Sequence, residues 1–280
     1  MIEDPHIELG HLMIAIAEPH PDGLDRYHRW FEREHMYQAV LVGPGAFAAE
    51  RFVATRTLKA LRFPTEGGVF RRADLGSFVA LYYLARDQDD AHFAWSYSQS
   101  ERLTAAGRTN RDRELILTWL CDYRARVARD ADSVPEEIAL DHRYAGLAMV
   151  WIEATAAPSP QHGVSDPSAV DSLADWLVQE SLPSLLADSP IDQVLLFEPR
   201  DFPEPPGNVE ITPGSVAPNP WTGKGLLLLG FFDEAVDESW AARMIPFSEH
   251  VDGSGLGHVR LAAPFFPADR GTRRYLDEIT

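Results

Sequence analysis

The sequence contains a single cysteine, Cys121, among its 280 residues. No intrachain disulfide can therefore form, and no group of thiolates is available to bind zinc or an iron–sulfur cluster. No stretch approaches the run of about 20 apolar residues that crosses a bilayer. The amino-terminal residues MIEDPHIELG lack the positively charged region of a signal peptide. These absences predict a cytoplasmic protein with no membrane partner.

Positive charge is also scarce, with 25 Lys and Arg residues against 43 Asp and Glu residues and a formal net charge of −18. Such a surface repels a phosphate backbone, so we expect no nucleic-acid partner. The ten histidines include no HExxH pair. The glycine clusters at 43–45 and 253–257 do not join a strand to a helix, as dinucleotide binding requires. The sequence therefore predicts neither a metal nor another cofactor.

A chain of this length corresponds to roughly two domains at about 150 residues each. Apolar residues alternate strictly from Leu115 to Val127, which predicts a strand. Each half of the chain repeats the order β-α-β-β-α-β, the ferredoxin-like order. The predicted elements are strand 9–17, helix 22–37, strands 46–55 and 77–85, helix 89–107 and strand 115–127, then strand 146–154, helix 169–187, strands 191–198 and 225–232, helix 235–250 and strand 257–266.

The two halves predict a first unit at 1–130, a linker at 131–144 and a second unit at 145–280. Their first helices align, WFEREHMYQAVL at 30–41 with WLVQESLPSLLA at 176–187, so that His35 corresponds to Ser181. Each unit also has a long loop between its second and third strands, at 56–76 and 199–224. We expect loops of that length to be functional arms or lids, or spacers where proline is frequent.

The segments WFEREHM and VGPGAFAAERF resemble the first helix and following strand of the dimeric α+β barrel superfamily. The resemblance implies an α+β fold in which two fused ferredoxin-like units form a barrel of antiparallel sheets around a central cavity. Members include small monooxygenases, polyketide cyclases, EthD-like proteins, muconolactone isomerases and fused heme proteins similar to chlorite dismutase. This chain departs from the pattern through its fusion, its long insertions and Ser181.

By this resemblance His35 is a catalytic residue that polarises or deprotonates a bound aromatic or ketone. Imidazole suits that role because its pKa lies near the working pH. The alternative is that His35 only hydrogen-bonds the backbone, or complements the dipole, at the end of its helix.

Alternation in the first strand divides its residues between two faces. The more apolar set, Leu12, Ile14 and Ile16, is expected to meet the helices, which leaves His11 and Met13 for the lumen. His11 is accordingly a second catalytic candidate that would orient the ligand, unless it is a satisfied histidine within a sheet. The candidate substrate-binding residues are Met13, Tyr83, Trp95, Trp119, Trp151, Glu153 and Arg260.

The aromatic candidates are equally compatible with an ordinary core. Glu153 in an apolar strand needs a partner, and Arg260 is the candidate partner across the barrel.

The function expected is a cofactor-independent enzyme that acts on a small apolar molecule, aromatic or polyketide-like, by histidine acid–base chemistry inside the barrel. It would be a lyase, isomerase, cyclase or small cofactor-free monooxygenase. One alternative is a heme protein similar to chlorite dismutase, with a proximal histidine among His162, His250 and His258. Another is a non-catalytic ligand-binding or assembly protein. A homodimer is one assembly compatible with the sequence.

Overall fold

In the computed structural model, residues 7–66, 68–70, 72–155, 167–204 and 219–279 are described, and eight strands close into one barrel. The strands are β1 (Leu9–Pro19), β2 (Ala46–Val53), β3 (Phe78–Ala85), β4 (Arg113–Ala128), β5 (Gly146–Ala154), β6 (Ile191–Arg200), β7 (Gly225–Phe232) and β8 (Gly257–Pro267). The helices are α1 (Leu24–Trp30), α2 (Arg56–Ala60), α3 (Asp89–Ala105), α4 (Pro167–Trp176), α5 (Leu182–Leu186) and α6 (Val236–Ser254).

Each half of the chain contributes four neighbouring strands, in the order β4-β1-β3-β2 and β8-β5-β7-β6. One joint between the halves is long, because β4 pairs with β6 from Leu120 opposite Arg200 to Ala128 opposite Gln193. The other joint, between β2 and β8, has two residue pairs. All pairings are antiparallel. The fold is thus two fused ferredoxin-like units in one α+β barrel, closed within a single chain.

The helices lie outside the barrel, and the first helix of each unit widens into π-helical turns. In the first unit α1 continues as a π-helix over Phe31–Leu41, and in the second unit α4 continues over Leu177–Ser181 before α5. Wider turns of this kind are frequent at functional sites. The helix α3 ends, as its sequence predicts, at Gly107 in the left-handed conformation, with φ of 67°.

The barrel interior is a packed core, and the predicted facing of β1 is wrong. Trp119 on β4 and Trp151 on β5 belong to different units, yet their ring centroids are 5.3 Å apart across the lumen. Ile14 is directly opposite Trp119 in the sheet and therefore faces inward. An eight-stranded barrel is just wide enough for side chains to fill it, so its interior takes the most apolar set. Met13 consequently faces the helices.

The long loop of the first unit closes one end of the barrel. Phe70 is buried in the lumen core, and the buried guanidinium of Arg62 lies 5.2 Å from its ring. Arg62 also donates hydrogen bonds to the carbonyls of Ala73 (3.0 Å) and Gly76 (2.8 Å). This part of the loop is a plug.

The described ends of the loop at 199–224 also pack on the protein. The ring of Trp221 lies 5.4 Å from that of Trp151. The predicted linker at 131–144 contacts the barrel as well, since the hydroxyl of Tyr144 donates to Asp192 at 2.5 Å. The unit boundaries stay a prediction. Over the described part of the chain, no helix is both long and apolar enough to cross a membrane.

Candidate active site

The outer face of the first unit's sheet carries small residues beneath its first helix. One row across the four strands, from β4 to β2, consists of Thr118, Ala15, Ala80 and Arg51. Thr118 and Ala15 are only half-buried. Alanine at the centre of a sheet presents a small, flat surface to the helix that covers it. This row is the floor of the candidate site.

Arg51 ends the row, and its side chain is completely buried. Its guanidinium lies 3.8 Å from the ring centroid of Phe78 and 4.5 Å from that of Phe31. One nitrogen, Nη1, donates to Nδ1 of His28 at 2.9 Å. Nε and Nη2 make no hydrogen bond of normal length and angle among the described residues, although the hydroxyl of Tyr27 lies close enough to stabilise the charged guanidinium. A buried donor without a partner is costly, so these two N–H groups are candidates for ligand binding.

The next row along the sheet brings Tyr82 beside the floor. Tyr82 is 1% exposed and its hydroxyl, too, has no partner in the described part of the chain. Burial raises the pKa of Tyr82, so the phenol is neutral and can donate a hydrogen bond. At the opposite end from Arg51, the guanidinium of Arg113 lies 4.8 Å from the ring of Trp30. Two cations and a phenol therefore lie between this sheet and its first helix.

His35 lies on the π-helical turns, where it is half-buried. Its imidazole stacks on Trp30 with ring centroids 4.6 Å apart and an interplanar angle of 27°. Burial, followed by the positive charges of Arg113 and Arg51, lowers the pKa of His35 from 6.5 to about 3. The ring is thus neutral at physiological pH and retains a lone pair.

Together these groups favour an electron-rich oxygen in the site. Arg51 and Arg113 supply positive charge, the unpartnered atoms of Arg51 and Tyr82 supply hydrogen-bond donors, and His35 supplies a neutral acid–base group. Donors fixed in a partly desolvated site stabilise developing negative charge much more strongly than water does. The flat rings of Trp30 and the alanine floor suit a planar apolar body.

The same place in the second unit carries one polar side chain, Ser181, whose hydroxyl has no hydrogen-bond partner among the described residues. Ser181, the counterpart of His35, is buried, and the outer face of that sheet packs on α5 and α6 around a void of about 10 Å³. The residues that line this void are Ala148, Val150, Leu182, Leu185, Ile191, Val194, Leu228, Gly230, Met244 and Phe247. A heme needs several hundred cubic ångströms. The described residues do not fit a heme between this sheet and its helices.

Two of the proximal histidines considered for heme lie away from that sheet. His250 packs against Trp176 on the surface, with ring centroids 5.1 Å apart. The side chain of His258 is 51% exposed and pairs with Asp252 at 3.4 Å. His162 lies outside the described residues. Over the ranges that the structure describes, no group of three or more His, Cys, Asp or Glu side chains is placed to bind a metal ion.

Of the residues predicted from the sequence, Met13 adjoins the site formed around His35. Met13 is directly opposite Tyr82 in the sheet and is half-buried. Tyr83, Trp119 and Trp151 point the other way, into the lumen, and are at most 4% exposed. Their environment is that of packed core residues.

His11 also faces outward rather than into the lumen. Its Nδ1 lies 2.8 Å from Asp122, and its Nε2 lies 3.3 Å from Asp89 at the start of α3. Arg200 of the second unit pairs with both carboxylates. Burial raises the pKa of Asp89, but the hydrogen bond from Arg200 and the charge of His11 lower it overall. His11 thus belongs to an ionic cluster between the two units. It lies two residues before Met13 on β1, on the same face of the strand.

The remaining candidates lie elsewhere. Trp95 is half-buried on α3 and covers Gly43, where an added Cβ would be 2.5 Å from its ring. Glu153 does pair with Arg260, at 2.7 Å, as the sequence predicts. The two strands are neighbours, however, so the pair does not cross the barrel. Both side chains are partly exposed at the barrel rim.

Sequence reasoning missed Arg51, Tyr82 and Arg113. One signal was present, because Arg51 interrupts the apolar strand AFAAERFV just as Glu153 interrupts β5. Tyr83 was a candidate and its neighbour Tyr82 was not. Adjacent residues of a strand lie on opposite faces, so the wrong choice of inner face also selected the wrong tyrosine.

No family model matches the sequence, and no curated protein matches it. Solved structures share the fold. An anthrone oxidase-like protein superposes with a TM-score of 0.54 at 9% identity, over 95% of this chain and 94% of that chain. A protein assigned as a monooxygenase from Lactobacillus acidophilus NCFM gives 0.43 at 9% identity, over 93% and 94%. One assigned as a chlorite dismutase gives 0.46 at 10% identity, over 97% and 100%. The likeness to the anthrone oxidase-like protein, together with the closed eight-stranded barrel, shows the α+β barrel fold and confirms the architecture implied by WFEREHM.

Proposed function

We propose that this protein is an enzyme that acts on a small, largely apolar aromatic or polyketide-like ketone, bound on the outer face of the first unit's sheet. One observation carries the proposal. Buried polar atoms of Arg51 and Tyr82 lie on the helix side of this sheet, and the charge of Arg51 acts on His35 of the covering helix. At the corresponding place the second unit has no cation or imidazole among the described residues, only the hydroxyl of Ser181 beside an apolar core. We place the ligand there and not in the barrel lumen, because side chains fill the lumen.

The chemistry proposed is proton abstraction from a carbon activated by the ketone. The C–H bond breaks, its electron pair delocalises onto the carbonyl oxygen as an enolate, and the proton moves to the imidazole of His35. Arg51 and Tyr82 donate hydrogen bonds to the enolate oxygen. Burial and then the charges of Arg113 and Arg51 lower the pKa of His35; these two cations stabilise the enolate, whose developing negative charge offsets their part of the effect on the imidazole.

The name of one structural neighbour supports the same class of substrate. The anthrone oxidase-like protein matches this fold over 95% of the chain. Anthrone is a flat tricyclic ketone whose methylene carbon loses a proton to give a conjugated enolate. It has the shape and chemistry that the site would accept, and it serves as the probe.

The test follows the exchange of the anthrone methylene hydrogens for deuterium, by NMR in buffered D₂O without oxygen. The wild type should accelerate exchange by at least about 100-fold, a usual contribution of general base catalysis. His35→Ala should lose the acceleration, whereas Ser181→Ala, the matched change in the second unit, should keep it. Binding of anthrone is measured in parallel by quenching of tryptophan fluorescence.

Two outcomes would contradict the proposal. Full acceleration by the folded His35→Ala variant would make His35 a structural residue. Binding of anthrone with no acceleration by the wild type would make the protein a ligand-binding protein instead of an enzyme.

A further inference from the structure

The last described segment of the chain, residues 268–279, belongs to the second unit by sequence but packs on the first. It follows β8 and lies against α1 and its π-helical continuation. Leu276 and Ile279 are each 2% exposed in the helix-side core of the first unit. The carbonyl of Ile279 also accepts a hydrogen bond from Nζ of Lys59 at 3.2 Å. We name residues 268–279 the C-terminal strap.

The strap contacts two residues beside Arg51. The carbonyl of Thr272 accepts a hydrogen bond from Nε2 of His28 at 2.7 Å. The amide of Gly271 donates to Oε2 of Glu32 at 2.8 Å. Gly271 has φ of 77°, a conformation that a residue with a Cβ adopts only with strain. The backbone of the strap is therefore shaped to meet the side chains of the helix.

These contacts decide how Arg51 is held. Because a carbonyl only accepts, Nε2 of His28 must carry the proton, and Nδ1 presents a lone pair. Nη1 of Arg51 donates to that lone pair at 2.9 Å. Burial and the charge of Arg51 lower the pKa of His28, which keeps its ring neutral. Glu32 balances the charge, with Oε1 at 3.5 Å from the same Nη1.

We infer that the C-terminal strap completes the candidate site of the first unit, with His28 and Glu32 as positioning residues that orient Arg51. They hold Nη1 and leave Nε and Nη2 for the ligand oxygen. The first unit's site therefore depends on the second unit, which carries the strap. This inference depends on the proposed function for the identity of the ligand, but its structural claim is measurable without one.

The test loosens the strap in the full-length protein with Leu276→Ala and Ile279→Ala together. The matched control is Arg274→Ala, which removes an exposed side chain of the same segment. The ¹⁵N shifts of the His28 ring report its tautomer, and hydrogen exchange of the Arg51 Nε–H reports how firmly the guanidinium is held. The double variant should lose the Nε2–H tautomer and exchange the Arg51 proton at least about tenfold faster, and the control should do neither. An unchanged tautomer and exchange rate in the double variant would overturn the inference.

A second pair of variants decides the matter where the double variant does not fold. His28→Asn retains an acceptor near the position of Nδ1, whereas His28→Leu has none. The asparagine variant should preserve slow exchange at Arg51, and the leucine variant should not. Equal exchange in both would refute a positioning role for His28.

The anthrone titration separates this inference from the proposed function. Wild-type protein that shows the Nε2–H tautomer and slow Arg51 exchange, but does not bind anthrone, would refute the proposed function and leave the strap inference standing. Wild-type protein that binds anthrone, with an affinity unchanged when the strap is loosened, would refute the inference alone. The expected result is binding that weakens at least about tenfold, or about 1.4 kcal/mol.

Discussion

The proton affinity of His35 predicts how stability changes with pH. The folded protein holds the pKa of His35 at about 3, against 6.5 for the free side chain, because of burial and then the charges of Arg113 and Arg51. Below pH 6.5 the unfolded chain binds a proton at this residue and the folded chain does not. The stability linked to His35 is therefore fully present above pH 6.5 and is lost as the pH falls toward 3.

The size of the effect follows from the shift. Each unit of pKa difference corresponds to about 1.4 kcal/mol. Between pH 7.5 and pH 5 the loss approaches about 2 kcal/mol, and solvent around the half-buried ring reduces this to roughly 1–2 kcal/mol. Since a domain is stable by only about 5–15 kcal/mol, the difference is well within reach of an unfolding experiment.

The assay compares urea unfolding of the wild type and His35→Gln at pH 7.5 and pH 5, followed by tryptophan fluorescence. Glutamine does not titrate, so the wild type should lose roughly 1–2 kcal/mol more than the variant on acidification. His28, whose pKa is also lowered, is present in both proteins and cancels in the difference. An equal loss in the two proteins would show that His35 is not desolvated beside two cations, and the electrostatic description of the site would be wrong.

Three further substitutions separate the candidate site from the core. Arg51→Met should weaken anthrone binding at least about tenfold and cost about 3–5 kcal/mol in the free energy of unfolding, because it leaves the carboxylate of Glu32 and Nδ1 of His28 without their buried partner; unchanged stability in urea would contradict this. Trp151→Ala should cost about 3–5 kcal/mol in the same unfolding assay, because it opens a cavity beside Trp119, and a smaller cost would mean a loosely filled lumen. Glu153→Gln should cost less than about 1 kcal/mol, because its pair with Arg260 is partly exposed, and should leave anthrone affinity unchanged; weaker binding would place this rim pair in the site.

The sequence by itself determined the elements and their order. The period-two pattern of 115–127 predicted β4, and Gly107 predicted the end of α3, because side-chain alternation and backbone conformation at these places are set by residues only a few positions apart. The repeated β-α-β-β-α-β order then led to the ferredoxin-like units.

Only the tertiary structure decided which face of each strand is inside. Alternation divides a strand into two faces without saying which one meets the lumen, and closure of eight strands gives the interior to the most apolar set. That choice buried Tyr83 in the core and left Tyr82 beside the site. Arg51 acquired its role in the same way. Its partner His28 is held by Thr272, 244 positions further along the chain, and a contact at that separation leaves no local pattern in the sequence.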